Sequence, residues 1–192
     1  MNKTILYYTS NREKPEFEQK IQVNILAQCG DIPIISVSQK PIKFGFNICV
    51  GDIGHSYASE FKQMRIGAEA AKTDYLIFAE ADILYPKEHF EFEPTGDSVY
   101  RNENDYVLFC YKRGKNLFYH KKPFIVGTQI CKRDDIVKYG FREHIPFTVF
   151  KTEVACISFK TGNGMTKRNR VGERIPTLPY WGDSISLSLK YI

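Results

Sequence analysis

Residues 74–82, Asp-Tyr-Leu-Ile-Phe-Ala-Glu-Ala-Asp, form a near-continuous apolar run closed at both ends by acids. A strand that is apolar at consecutive positions needs cover on both faces, as in a parallel sheet flanked by helices. The preceding segments supply that cover. Residues 5–9 read as a short β-branched and aromatic strand, and Pro15 suits the first turn of a helix. Phe17, Ile21, Ile25 and Leu26 recur at helical spacing up to the stop at Gly30. Residues 32–37 give a second strand. Ser56 is the expected N-cap of a second helix, whose apolar set is Tyr57, Phe61, Met64, Ala68 and Ala71. Strand and helix therefore alternate through residue 82, which predicts an α/β layer architecture with a mostly parallel sheet.

Beyond residue 82 the pattern changes. Residues 106–111 and 116–119 are aromatic runs split by Lys112-Arg-Gly-Lys115, a hairpin with a basic turn. Residues 124–131 read as a strand, 134–139 as a short helix and 154–159 as a last strand. Fraying is expected over 163–174, where no hydrophobic period survives. A length of 192 residues suits one domain, and 43% hydrophobic with 26% charged residues excludes general disorder. Apolar stretches of about five residues fall far short of the roughly 20 that span a bilayer. With no apolar leader near Met1, a cytoplasmic protein without membrane contact is expected. Five cysteines without a C-x-x-C pair suit buried thiols rather than disulfides or zinc.

The net charge of +5 suits an anionic ligand. It is unevenly spread: residues 160–174 carry five cations, three glycines and one acid. At the opposite sign, Glu80 and Asp82 leave the buried strand at its C-terminal edge, where open α/β sheets bind ligands. Carboxylate oxygens are hard donors for Mg²⁺ or Mn²⁺, and such an ion bridges protein to a nucleotide diphosphate. No P-loop or dinucleotide fingerprint is present, and the four histidines lack metal spacing, although His55 stands near a helix start. Trp181, beside Tyr180, is a stacking surface for a sugar or base, or packing for the C-terminus.

The stretch from Gly67 to Pro86, with its alanine-ended helix, acid-aromatic step, apolar strand and acid-x-acid motif, resembles the A-type glycosyltransferases, nucleotide-sugar-dependent enzymes of Rossmann-like fold. The segments around 34–41 and 46–51, Gln63, and the aromatic stretch 84–92 are similar to small phage-borne and bacterial members. The resemblance implies a three-layer A-type fold with an added hairpin, residues 1–92 holding the nucleotide and 93–192 facing the acceptor. It implies that Asp82, helped by Glu80, holds Mn²⁺ or Mg²⁺, and that Thr9, Ser10, Asn11, Arg12, Ser38, Gln39 and Gln63 hold the donor. Lys138-Tyr-Gly-Phe-Arg-Glu143 is similar to the segment preceding the catalytic base of inverting members, which makes Glu143 or Glu153 the base. Related chains put a metal-binding histidine before a Gly-Asn-x-x-Thr stretch; Thr161 stands there in this chain, so the ion would have one protein ligand fewer.

Lys160, Lys167, Arg168 or Arg170 folding over a leaving diphosphate would stabilise its developing charge. Alternatively, these cations and Arg113 in the hairpin contact a nucleic-acid backbone. The expected function is transfer of a sugar, with UDP-sugar as the donor, to a hydroxyl, DNA carrying a hydroxylated base being one acceptor, with Tyr180 or Trp181 receiving the exposed base. A sugar-phosphate nucleotidyltransferase and a non-enzymatic nucleic-acid-binding module are the rival readings. The first usually opens with a glycine-rich loop, which residues 9–14 lack.

Overall fold

The computed structural model describes residues 2–110, 117–121, 125–141, 146–165 and 171–192, with only the backbone at 121, 171 and 172. Strand β1 (Lys3–Thr9) is buried along its whole length and lies inside a seven-stranded sheet. Helix α1 (Pro15–Gln28) follows, then β2 (Ile34–Ser38), β3 (Phe46–Cys49), α2 (Tyr57–Ala70) and β4 (Tyr75–Glu80). β1 pairs in parallel with β2 on one side and β4 on the other, and β2 pairs in parallel with β3. The edge strand β3, which no alternation in the sequence marks, rests half-exposed.

The alternation of a strand explains the layers. Ile5 and Tyr7 of β1 join Phe17, Ile21 and Ile25 of α1 in one core, while Leu6 and Tyr8 join Met64 and Ala68 of α2 in the other. Leu26, expected inward, is exposed. Tyr57, in the first turn of α2, is likewise exposed. Ser56 caps that helix as expected, its Oγ accepting from the Ser59 N–H at 3.2 Å. At Gly67 a Cβ would fall 2.0 Å from Leu6 Cδ1, so only glycine lets α2 lie this close to β1.

The second half builds on both layers. β5 (Ile83–Leu84), α3 (Lys87–Glu91), β6 (Val99–Asn102), β7 (Asp105–Phe109) and β8 (Phe118–Lys121) lead to a 3-10 turn (Val126–Thr128) and β9 (Gln129–Lys132). The strand expected over 124–131 is therefore a turn followed by β9, which runs antiparallel between β4 and β6. After α4 (Arg133–Tyr139) come β10 (Phe147–Phe150), β11 (Cys156–Lys160), β12 (Val171–Ile175), β13 (Thr177–Leu178), β14 (Gly182–Asp183) and α5 (Ser184–Tyr191). The large sheet has the order β10-β6-β9-β4-β1-β2-β3. A five-stranded sheet, β12-β8-β7-β11-β5, packs on the α1 side.

The expected hairpin is β7 and β8, paired antiparallel, its turn lying outside the described residues. Residues 171–175, expected to fray, form β12 against β8. Both sheets draw strands from either side of residue 92. All five cysteines are free thiols, three of them buried, whereas Cys49 is exposed on β3. Among the described residues no helix is long and apolar enough to cross a membrane.

Candidate functional site

The connections from β1 run outward through β2 and β3, whereas β4 lies on the opposite flank of β1, so the strand order reverses between β1 and β4. Such a reversal leaves a crevice at the C-terminal ends of the strands. A cavity of about 360 Å³ occupies it. Thr9, Ser10, Arg12, Gln39, Gln63, Glu80, Asp82 and Lys160 all line it, as does His55.

The two acids mark a change of sheet. Glu80 ends β4 in the large sheet, and Asp82 leads into β5 of the small one. β5 pairs with β11, Ile83 opposite Ser158, and the Asp82 carbonyl accepts from the Phe159 N–H at 2.7 Å. That register brings Lys160 abreast of Asp82, with Nζ donating to Oδ2 at 3.3 Å. Both side chains are about one-sixth exposed, at 15% and 16%. Burial alone would lower the lysine's pKa, but the carboxylates of Asp82, Glu80 and Glu13 outweigh it and raise it, so the ammonium is held charged.

Glu80 is positioned from several directions. Its Oε1 accepts from the Tyr8 hydroxyl at 2.8 Å, and its backbone N–H donates to the Tyr85 hydroxyl at 2.8 Å. Tyr85 in turn donates to the Gly127 carbonyl at 2.8 Å. A Cβ at Gly127 would lie 2.6 Å from Glu80 Cδ, so glycine leaves the room that the carboxylate fills. Glu13 accepts from Thr161 Oγ1 at 2.6 Å and Asn163 Nδ2 at 3.2 Å, and burial raises its pKa.

This donor set does not suit a divalent ion held by Asp82 and Glu80. Among the described residues no group of three or more ligating side chains converges, so an ion here would take its other ligands from the diphosphate and water. Asp82 already carries an ammonium, and Glu80 is turned to Tyr8. Unit charges about 4 Å apart repel by roughly 4 kcal/mol near a protein surface, and a dication doubles that. Lys160 thus stands at Asp82 Oδ2, the oxygen that an ion held by Asp82 would have to share with it.

Other expected residues hold the frame. Asn11, in the left-handed region at φ 53°, accepts at Oδ1 from the Gln39 and Lys40 N–H groups at 2.9 and 2.8 Å, tying the exits of β1 and β2 together. It does not line the cavity, nor does Ser38, which is buried and accepts from Asn47 Nδ2 at 2.9 Å. Gln63 lines the cavity and also braces it, donating to the carbonyls of Thr9 at 2.8 Å and Val37 at 3.0 Å. Glu153 stands outside, its N–H donating to Glu88 Oε2 at 2.6 Å and its carbonyl accepting from Asn104. Trp181 packs on the core and donates to the Ala155 carbonyl at 2.7 Å, and neither it nor Tyr180, 67% exposed, lines the cavity. Glu143, Lys167, Arg168, Arg170 and Arg113 lie outside the described residues.

Sequence reasoning missed several lining residues. Phe61 and Phe141, with centroids 4.7 Å apart, form an aromatic wall beside Tyr57. Phe61 carried a signal in its helical spacing, but Phe141, Glu13 and Ser158 reach the cavity only through long-range packing. A second hollow of about 620 Å³ adjoins the first, sharing with it every lining residue but Gly162. Burial and the Arg12 charge lower the pKa of His55 there.

No protein-family profile matches the chain, and no curated protein matches it in sequence. Solved structures do. Residues 1–349 of S. aureus TarS superpose with a TM-score of 0.57 at 12% identity, covering 83% of this chain and 60% of that one. The same TarS fragment in complex with UDP-GlcNAc gives 0.56 at 12% identity, covering 84% and 59%. The mannosyltransferase PcManGT from Pyrobaculum calidifontis, in complex with GDP-Man and Mn²⁺, gives 0.50 at 11%, covering 87% and 58%. The chain thus spans about 60% of the length of these structures. Its fold is the A-type glycosyltransferase fold, three layers around a mostly parallel central sheet.

Proposed function

We propose that the chain is a glycosyltransferase that passes a sugar from a nucleotide-sugar donor to an acceptor hydroxyl in the cavity between β1 and β4. The observation that carries this reading is the meeting of Glu80, Asp82 and Lys160 at the reversal of strand order, within a fold shared with proteins solved with UDP-GlcNAc and GDP-Man. The nucleoside lies along the ends of β1 and β2, between Gln39 and the wall of Phe61 and Phe141. Its diphosphate reaches Lys160, whose ammonium stabilises charge where it develops as the sugar carbon departs. A UDP-sugar is the proposed donor.

The candidate bases are Glu143 and Glu153, of which Glu153 stands outside the cavity beside Glu88. DNA with a hydroxymethylated base is the proposed acceptor, on the strength of the cations at 112–115 and 160–174. It requires DNA binding at low salt, where counterion release favours it most, and a titration without binding there removes it.

The test of the reaction is release of UDP or GDP from a panel of nucleotide sugars. Asp82→Asn should lower turnover by roughly 100-fold or more with an unchanged circular dichroism spectrum. Unchanged turnover in that variant would overturn the assignment of the site.

A further inference from the structure

Lys160 is an unusual side chain for a cavity wall. Its backbone is fixed in β11, opposite Phe109 of β7, and its carbonyl accepts from the Cys110 N–H at 2.9 Å. An ammonium has three N–H donors. Among the described residues only Asp82 accepts from Lys160, so two donors face the cavity without a partner. Three carboxylates hold the charge in place: Asp82 by contact, Glu80 and Glu13 through space. Glu80 and Glu13 are themselves engaged, by Tyr8 and by Thr161 and Asn163.

We propose that Lys160 is the cation of the donor site, bridging Asp82 and the leaving diphosphate, so that transfer proceeds without a divalent ion. This rests on the glycosyltransferase reading above and fixes how that site handles charge. The bond between the sugar's anomeric carbon and the diphosphate oxygen breaks, and its electron pair leaves on that oxygen. A lone pair of the acceptor hydroxyl forms the new carbon–oxygen bond, and the hydroxyl proton passes to a carboxylate base on the acceptor side. Lys160 keeps its protons throughout and donates two hydrogen bonds to the diphosphate while Asp82 fixes the third. Arg12, exposed at the mouth of the same cavity and without a partner among the described residues, adds a second positive charge for the entering donor.

The experiment titrates UDP and GDP into the full chain by calorimetry, in EDTA and then in Mn²⁺, and titrates Mn²⁺ alone by electron paramagnetic resonance. The wild type should bind one of the diphosphates in EDTA, with less than about a twofold change on adding Mn²⁺, and should bind Mn²⁺ alone poorly. Lys160→Ala should weaken diphosphate binding in EDTA by roughly tenfold or more, as expected for charged hydrogen bonds. The same variant should bind Mn²⁺ alone more tightly than the wild type, because Asp82 is freed; a tag or surface site would not produce that opposite shift. Lys160→Arg, which keeps the charge, should retain most of the EDTA binding, and it carries the test if Lys160→Ala does not fold. Diphosphate binding that needs Mn²⁺, with Mn²⁺ alone bound by the wild type and released in Asp82→Asn, overturns the proposal and leaves the glycosyltransferase reading standing. Binding of neither diphosphate under any condition overturns both.

Discussion

Among the described residues Lys3 is buried and Lys160 largely so, and the two lysines are used in opposite ways. Lys3, only 1% exposed at the start of β1, spends all three donors: on the carbonyls of Phe90 at 3.0 Å and Phe92 at 2.7 Å, and on Glu93 Oε1 at 2.8 Å. Lys160, on β11 of the five-stranded sheet, spends one donor, on Asp82, among the described residues. Burying a charge is costly unless it is paired and hydrogen-bonded, so a saturated lysine is explained by the fold that surrounds it. A lysine with donors to spare, facing a cavity, is explained by what enters that cavity. The contrast separates a staple from a binding group without reference to any relative.

The sharpest way to break this comparison is to exchange the consequences. Lys3→Met orphans two carbonyls, each worth about 1–3 kcal/mol when left unpaired in the interior, and should lower stability by about 3 kcal/mol while the folded fraction keeps its kcat/KM. Lys160→Met should do the reverse, with a Tm within a few degrees of wild type and transfer lowered roughly 100-fold. Thermal denaturation beside steady-state kinetics reads both. Equal losses of stability in the two variants would mean that Lys160 is a staple as well.

Next in size is the neighbour of Lys3. His89 is fully buried among Tyr85, Phe90 and Phe150, and neither ring nitrogen has a partner among the described residues. Burial first, and then the Lys3 charge, lower its pKa to about 3. Because the folded value lies below the ordinary one of about 6.5, the neutral ring stabilises the fold above that pH, and the contribution is lost as pH falls towards 3. At 1.36 kcal/mol per pH unit this amounts to about 3 kcal/mol by pH 4. His89→Phe should therefore match wild type near pH 7 and exceed it at pH 4 in chemical denaturation. A gap independent of pH would show that the ring does not titrate with unfolding.

How much of this was legible in the sequence follows from which contacts are local. The apolar run of β4, the 3.6-residue period of α2 and the Ser56 cap are set by residues a few positions apart, and they are where the pattern placed them. The acids at 80 and 82 stand out because charge at the end of an apolar strand is a local contrast. The partner of Asp82 is not local: Lys160 arrives through the register of β11 on β5, 78 residues away. β12 was hidden for the same reason, since its glycine and cations suppress the apolar signal while β8 supplies the hydrogen bonds. The Ala155 carbonyl that Trp181 meets is likewise distant in sequence, 26 residues away.

The smallest expected effect tests whether a buried acid beside the site belongs with Lys3 or with Lys160. Glu18 of α1 is buried, accepts from Thr9 Oγ1 at 2.6 Å and more weakly from Asn11 Nδ2 at 3.5 Å, and does not line the cavity. Burial, opposed by the Thr9 hydrogen bond and helped by the Glu13 charge, raises its pKa to about 6. A raised folded value means that the contribution is fully present below the ordinary 4.5 and is lost as pH rises through about 6. Glu18→Gln keeps a carbonyl for Thr9 and removes the ionisation, although its amide then faces the Asn11 amide, which cannot turn because its oxygen holds the Gln39 and Lys40 N–H groups. The rise from 4.5 to about 6 corresponds to about 2 kcal/mol, less some tenths for that clash, so the variant should be about 1–2 kcal/mol more stable than wild type at pH 8 and some tenths less stable below pH 4.5. Diphosphate affinity should stay within about twofold, as befits a group whose hydrogen bonds are spent inside the fold. A loss of affinity in this variant would move Glu18 from the staples to the binding groups, and a stability difference unchanged across that range would show that its carboxyl does not titrate with unfolding.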